Sequence, residues 1–281
     1  MKDAPELVGH VGVLTIAAWL AFLVIAPVGA GAQPLNTAAA ESGPPQASGS
    51  AQAALTAGKP GPAGWSLTGD VSFAGMTGNT DTATIVFGGT YLRSWPSWGL
   101  VAKASGTRVS AGSAPVAEAY FIAFETSRKL TERLSMVIGE SIYRNPFSGL
   151  AHRNRLGAGI RWVTARTTQW DLTVLTAAGW EHDNYINAFS ADIPTTLVLV
   201  ENHVQISATT STKQSVAWFQ DLQDSGNYRV HADASIQSAV THWLGLQLAW
   251  AMRFDNEPVD APEKTDMSFT AGFQFNLHSG Q

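Results

Sequence analysis

From Trp65 onward, apolar and polar residues alternate. Trp65, Leu67, Gly69, Val71, Phe73 and Gly75 share one parity; Ser66, Thr68, Asp70, Ser72 and Ala74 share the other. Successive side chains of a strand point to opposite faces, so this segment reads as a strand with one apolar face. The last segment repeats the pattern, with Met267, Phe269, Ala271, Phe273, Phe275 and Leu277 against Ser268, Thr270, Gly272, Gln274 and Asn276. Leu244, Leu246, Leu248, Trp250, Met252 and Phe254 form another such face, opposite Gln247 and Arg253. Leu156, Ala158, Ile160 and Trp162 do the same opposite Arg153, Arg155 and Arg161.

Comparable segments span 65–76, 82–95, 98–108, 117–128, 134–144, 151–164, 169–181, 194–208, 214–223, 228–240, 243–254 and 266–277, which predicts twelve strands. An even number of strands, most of them about 9–11 residues or longer, suits a single chain crossing a membrane. The expected fold class is all-β: a transmembrane antiparallel up-and-down β-barrel. Facing is open in the fourth, fifth and eighth strands. There Tyr120, Ile122 and Phe124 compete with Ala119, Phe121 and Ala123, and Glu140 and Glu201 sit among aliphatic residues.

The connections point the same way. Residues 94–97, 129–133, 165–168 and 241–242 read as short turns, whereas 109–116, 145–150, 182–193 and 255–265 read as longer polar loops. Short periplasmic turns and longer external loops are the habit of such barrels. Trp65, Trp95, Trp98, Trp162 and Trp170 fall at the predicted periplasmic strand ends, and Trp180 and Phe254 near the opposite ends, all on the apolar face. Amphipathic rings prefer the headgroup level, so these positions predict aromatic girdles rather than a soluble sandwich core. Trp243 is the exception, since its parity points it inward.

The N-terminal part reads differently. Residues 11–28 are an apolar run, followed by Ala30-Gly31-Ala32, an A-x-A cleavage pattern before Gln33. Residues 1–32 are therefore expected to be a signal peptide, despite Asp3 and Glu6 beside Lys2; an uncleaved anchor is the alternative. Residues 33–64 are rich in Ala, Gly, Pro and Ser and lack aromatics, which predicts a flexible linker. The barrel is expected over 65–277 and a tail over 278–281. The segment Thr270–Leu277 looks like the last-strand signal read by the barrel-assembly machinery. The expected location is the bacterial outer membrane, in contact with its lipid and lipopolysaccharide.

Composition narrows the function classes. Charged residues are 14% and apolar residues 45% of the chain. A soluble domain carries about 25% charged residues, so a large surface here faces something less polar than water. Net charge is −5 without a basic block, which argues against nucleic acid. Cysteine is absent, so disulfides, thiolate metal sites and a cysteine nucleophile are excluded together.

Several segments resemble the YdiY-like family of salt-induced outer-membrane proteins, a domain of unknown function. The carrying residues are Gly69-Asp70-Val71-Ser72 leading into Thr77-Gly78-Asn79-Thr80-Asp81, then Tyr143–Leu150 with Arg153, Gly157 and Gly159, then Phe254–Pro258 with Lys264-Thr265-Asp266 and the last strand. The resemblance implies an outer-membrane barrel; the family name records induction by salt, not a mechanism. It transfers no catalytic residue.

Candidate chemistry lies on the polar faces. Asp70, Lys103, Arg153, Arg155, Arg161, Asp171, Glu181, Arg229, His231, Asp233 and Arg253 are expected to line the lumen, because charge facing lipid is costly. They would either set the selectivity of an aqueous pore or pair across strands in a filled interior. With a turn centred on 165–167, Arg161 faces Asp171 and Arg153 lies diagonal to Glu181. No G-x-S-x-G elbow is present, and the nearest nucleophile sets (Glu201, His203 and Ser207, or His231 and Asp233) share the lumen face rather than the lipid face. Glu181-His182-Asp183 and His231-x-Asp233 lack a third metal ligand at suitable spacing, and Asp255, Glu257, Asp260, Glu263 and Asp266 read as a solvated external loop. An enzyme, a cofactor and a metal are therefore not expected. The leading expectation is a small passive channel for ions or small solutes, with Arg153, Arg155 and Arg161 as anion-attracting lining. The alternative is a non-conducting envelope barrel that binds ligands or partners through its external loops.

Overall fold

A computed structural model describes residues 64–76, 82–187, 189–258 and 264–278. The expected signal peptide, nearly all of the linker and residues 279–281 of the tail lie outside the described residues. Twelve strands follow one another: β1 (Gly64–Met76), β2 (Thr82–Ser94), β3 (Trp98–Ala111), β4 (Ala114–Lys129), β5 (Leu134–Asn145), β6 (Leu150–Arg166), β7 (Trp170–Tyr185), β8 (Ala191–Gln205), β9 (Thr210–Asp221), β10 (Tyr228–Ala239), β11 (Leu244–Asp255) and β12 (Thr265–His278). Each pairs antiparallel with the next, and β1 pairs with β12 from Ser66↔His278 to Ser72↔Gly272, which closes the barrel. Closure leaves no sheet edge, so backbone donors and acceptors are satisfied within the wall, as a lipid-embedded sheet requires.

The burial pattern is that of a barrel whose outside meets lipid. Phe73, Phe269, Leu248, Leu156 and Phe124 are all more than half exposed on the outer face. Leu175, Glu181, Asp183, Thr107 and Val101 point inward and are almost wholly inaccessible. The three open facings resolve. On β4, Tyr120, Ile122 and Phe124 are exposed while Phe121 and Ala123 are buried. On β8, Glu201 shares the inward parity of the buried Leu197 and Leu199. On β5, Glu140 shares the exposed parity of Ile138 and Ile142.

The two ends of the barrel differ. At one end, residues 95–97, 130–133, 167–169, 206–209 and 240–243 connect the strands. Four of these turns use one device. The hydroxyl of Thr131 accepts from the Leu134 N–H at 3.0 Å, Thr167 from Trp170 at 2.9 Å, Ser207 from Thr210 at 3.1 Å and Thr241 from Leu244 at 3.0 Å. A short hydroxyl side chain thus takes up the donor at which the next strand begins.

At the other end, the long polar loops expected at 109–116 and 182–193 are mostly strand. β3 and β4 meet across Gly112, whose φ of 59° suits a residue without Cβ, and β7 runs on to Tyr185 before β8 begins at Ala191. Polar residues there are strand extensions beyond the lipid, which sequence polarity cannot distinguish from loop. Trp243 is also corrected. It precedes β11, so strand parity does not govern it, and its ring stacks outside on Phe275 at 6.1 Å.

Candidate functional site

The inward face of the wall carries the charged residues, and its alternation puts Asp70, Lys103, Arg153, Arg155, Arg161, Asp171, Glu181, Arg229, Asp233 and Arg253 there together with His231. They do not form one open ring. Most of them gather into ion-paired groups.

The largest group is centred on Glu181 of β7, which is 0% accessible. Arg155, its register partner on β6, bonds Glu181 Oε2 through Nε at 2.8 Å and also through Nη2. Arg153 lies diagonal to it, with Nε 3.1 Å from Glu181 Oε1. Arg229 of β10 donates from Nη2 to the same oxygen at 2.6 Å. Asp183, also 0% accessible, accepts from Arg153 Nε at 2.7 Å and Nη2 at 2.5 Å, and from the Tyr185 hydroxyl at 2.8 Å. Phe219 of β9 fills the space beneath. The Arg155 guanidinium lies 4.3 Å from its ring centre and the His231 ring 5.0 Å away. Cation and ring face attract, so the guanidinium is held by ring and carboxylate at once.

A second group lies nearer the short-turn end. Arg161 of β6 reaches past β5 to Glu125 of β4, with Nη2 at 2.9 Å from each carboxylate oxygen. Arg161 does not face Asp171; its register partner is Leu175, because the turn lies at 167–169 rather than at 165–167, and Asp171 instead pairs with Arg166 and binds it at 3.0 Å. Arg253 of β11 donates to Asp233 of β10 at 2.7 Å. Asp70 of β1 projects across Gly88 of β2, where a Cβ would come within 2.8 Å of its Oδ1. Gly88 thus makes the room that this carboxylate occupies.

Between these groups the lumen is apolar. Val137, Leu175, Leu197, Leu199, Ala217 and Phe219 form one buried cluster on β5, β7, β8 and β9. Beside it a cavity of about 60 Å³ is lined by Phe121, Arg155, Gly157, Gly179 and Phe219, among others. Some inward positions are wetter: Lys213 of β9 is exposed although it faces the lumen.

Glu125, Asp183, Tyr185 and Phe219 were not apparent as site residues in the sequence. Asp183 and Tyr185 lie in what reads as an external loop, and the facing of the strand carrying Glu125 was open. Phe219 has the inward parity, but a buried aromatic between two arginines has no signature in one strand. Among the described residues no group of three or more His, Asp or Glu side chains is placed to hold a metal. Asp233, one half of the possible His231–Asp233 pair, is bonded to Arg253.

Fold and site together define the class: a closed, twelve-stranded antiparallel β-barrel with an apolar outer face and an ion-paired interior. The chain belongs to the family described as "Protein of unknown function, DUF481", whose profile matches residues 69–277. No curated protein matches the sequence. Among solved structures, it is similar to an outer-membrane channel from Pseudomonas putida F1, with 10% identity and a TM-score of 0.48, covering 78% of this chain and 96% of that one. It is also similar to the NanC porin, with 9% identity and a TM-score of 0.44, covering 77% of this chain and 99% of that one. A third similar structure is an anion-selective porin from Comamonas acidovorans, with 9% identity and a TM-score of 0.39, covering 76% and 98%.

Proposed function

We propose that this protein is a small channel of the bacterial outer membrane for ions or small solutes, and that it rests closed. The observation that carries the reading is the bond from Arg229 on β10 to Glu181 on β7, with Phe219 packed against the same guanidiniums. Side chains alone make this seal, and each can rotate away without the wall breaking. The polar inner face, with Lys213 exposed at its wetter side, supports passage of charged or hydrated species once the seal loosens. The inward arginines have a different role from the anion-attracting one expected from sequence: they are spent on Glu181, Asp183 and Glu125. Selectivity in the open state depends on which of these pairs separates. The termini and short turns lie on the periplasmic side in this reading. The induction by salt that the family name records belongs to this reading as a proposal, which transcript levels at low and high salt would check.

Conductance of the refolded full chain in a planar bilayer tests the proposal. The wild-type protein should show rare or no steps. A Phe219→Ala/Arg229→Ala variant that keeps a heat-modifiable folded band should show discrete steps. Frequent wild-type steps would overturn the closed state. A folded, silent variant would overturn the channel and favour the non-conducting envelope barrel.

A further inference from the structure

The outer surface of the barrel is not uniform at the end opposite the short turns. On β7, Trp170 and Trp180 are ten residues apart (180 − 170), both on the outward parity. Ten residues of a tilted strand rise about 25 Å, the height of the apolar band of such a barrel. The two indoles therefore mark its two interfaces, and outward residues beyond Trp180 stand at the headgroup level of the outer leaflet. The same interval on β6 leads from Trp162 to His152, and on β8 from Asn202 to Asp192.

On β9, β10 and β11 that level is aromatic: Trp218, Tyr228 and Phe254 pack in series at 5.5 and 5.7 Å. On β5 to β8 it is polar instead. Arg144, the penultimate residue of β5, is exposed. His152 and His182 lie with ring centres 6.4 Å apart. His182 meets Asp192 through Nδ1 at 2.7 Å, and the same carboxylate oxygen accepts from the Trp180 indole at 3.4 Å. Asn154 is the register partner of His182, and its Oδ1 is buried without a hydrogen-bond partner among the described residues.

From this arc we infer a docking site for the phosphorylated sugar headgroup of an outer-leaflet glycolipid. Arg144 offers a fork of donors suited to phosphate oxygens. His152 adds a ring N–H donor to the arc, while His182 gives its Nδ1 proton to Asp192. Asp192 holds His182 and the Trp180 indole, and Arg144 is the cation left to meet the phosphate. Trp180, half exposed beside this cluster, gives a glycolipid an apolar contact that inorganic phosphate cannot make. Trp180 lies where it would pack along the first acyl carbons. The inference rests on the orientation in which the short turns are periplasmic, but not on whether the lumen conducts.

The test uses the folded full chain in detergent micelles, titrated with bisphosphorylated lipid A, with the same glycolipid stripped of phosphate, and with inorganic phosphate. Tryptophan emission and the midpoint of heat modification are read. Phosphorylated lipid A is expected to bind at least tenfold more tightly than either comparison ligand. Arg144→Gln/His152→Gln/His182→Gln should lose tenfold or more, while Arg108→Gln, outward on β3, should bind as wild type. If the triple variant does not fold, Arg144→Gln alone should lose at least threefold. Unchanged affinity in the folded variant would overturn the site. Equal affinity for the stripped glycolipid would overturn phosphate recognition, and equal affinity for inorganic phosphate would overturn the glycolipid. A failed barrel orientation would appear separately, as protection of residues 256–264 from protease added to intact cells and their cleavage once the outer membrane is permeabilised.

Discussion

Arg229 donates to Glu181 at 2.6 Å although β8 and β9 lie between their strands in the wall. The bond therefore crosses a chord of the lumen instead of bridging neighbours. Two carboxylates, Glu181 and Asp183, hold three guanidiniums, those of Arg153, Arg155 and Arg229, without access to water at the carboxylates. Removing one partner from a buried set leaves uncompensated charge, at a cost of about 3–5 kcal/mol. Glu181→Gln should lower the free energy of urea unfolding of the refolded barrel by about that amount. Glu181→Gln/Arg229→Gln should cost clearly less than the sum of the single changes, because the two groups answer each other. Additive losses would show that the bond across the lumen contributes nothing of its own.

The seam between β6 and β7 depends on glycine. A Cβ at Gly159 would lie 2.2 Å from the Thr176 carbonyl oxygen, and one at Gly179 would lie 2.2 Å from that of Leu156. Both obstacles are backbone, so the strands would have to part. A Cβ at Gly157 meets nothing closer than 3.4 Å. Gly159→Ala and Gly179→Ala should each destabilise the barrel by about 1–3 kcal/mol or more, as overpacking does, and Gly157→Ala should stay within about 1 kcal/mol. Comparing the three unfolding free energies checks the ranking. Equal effects at all three would mean the close approach is not what fixes glycine here.

Most of the wall was legible in the chain, because a period of two is imposed by the strand and the lipid together. Phe269, Leu248 and Phe124 had to alternate with polar partners for one face to meet hydrocarbon. The lumen was less legible. Arg155 and Glu181 could be placed on the inner face, but register decides which charges meet, and a turn two residues further along than its polarity suggests put Arg161 opposite Leu175 instead of Asp171 and left it to reach Glu125. Contacts such as Arg229 with Glu181 join strands far apart in the order, and no local pattern encodes them. The girdle arc was hidden for another reason: His182 read as loop, Arg144 closed a strand whose facing was open, and His152 opened the sixth strand on its outward parity, with nothing in the sequence to join the three.

The short turns are tied by single hydroxyls. Thr131, Thr167, Ser207 and Thr241 each accept the N–H that opens the next strand, at 2.9 to 3.1 Å. A typical hydrogen bond contributes about 1 kcal/mol net. Thr167→Ala or Thr241→Ala should therefore cost about 1 kcal/mol each, and Thr→Ser should recover most of it because the hydroxyl remains. Equilibrium unfolding of the two series checks this. If serine recovers nothing, the threonine methyl packing is what matters at these turns.

Glu140 is the unexpected charge of the outer face. It sits at the centre of β5, between Phe124 of β4 and Leu156 of β6, on the exposed parity of Ile138 and Ile142. Arg or Lys facing hydrocarbon at mid-depth costs about 2–4 kcal/mol, and a carboxylate costs less. Glu140→Leu should accordingly stabilise the barrel by about 1–2 kcal/mol in phosphatidylcholine vesicles. Glu118→Leu is the contrast: Glu118 is also outward, but it lies near the headgroups and pairs with Arg108 at 3.5 Å, so its removal should change stability by less than about 0.5 kcal/mol. Unfolding of both variants in vesicles decides the matter. Loss of stability in Glu140→Leu would mean that the carboxylate is not facing bare lipid in the membrane and is met there by a donor from another molecule.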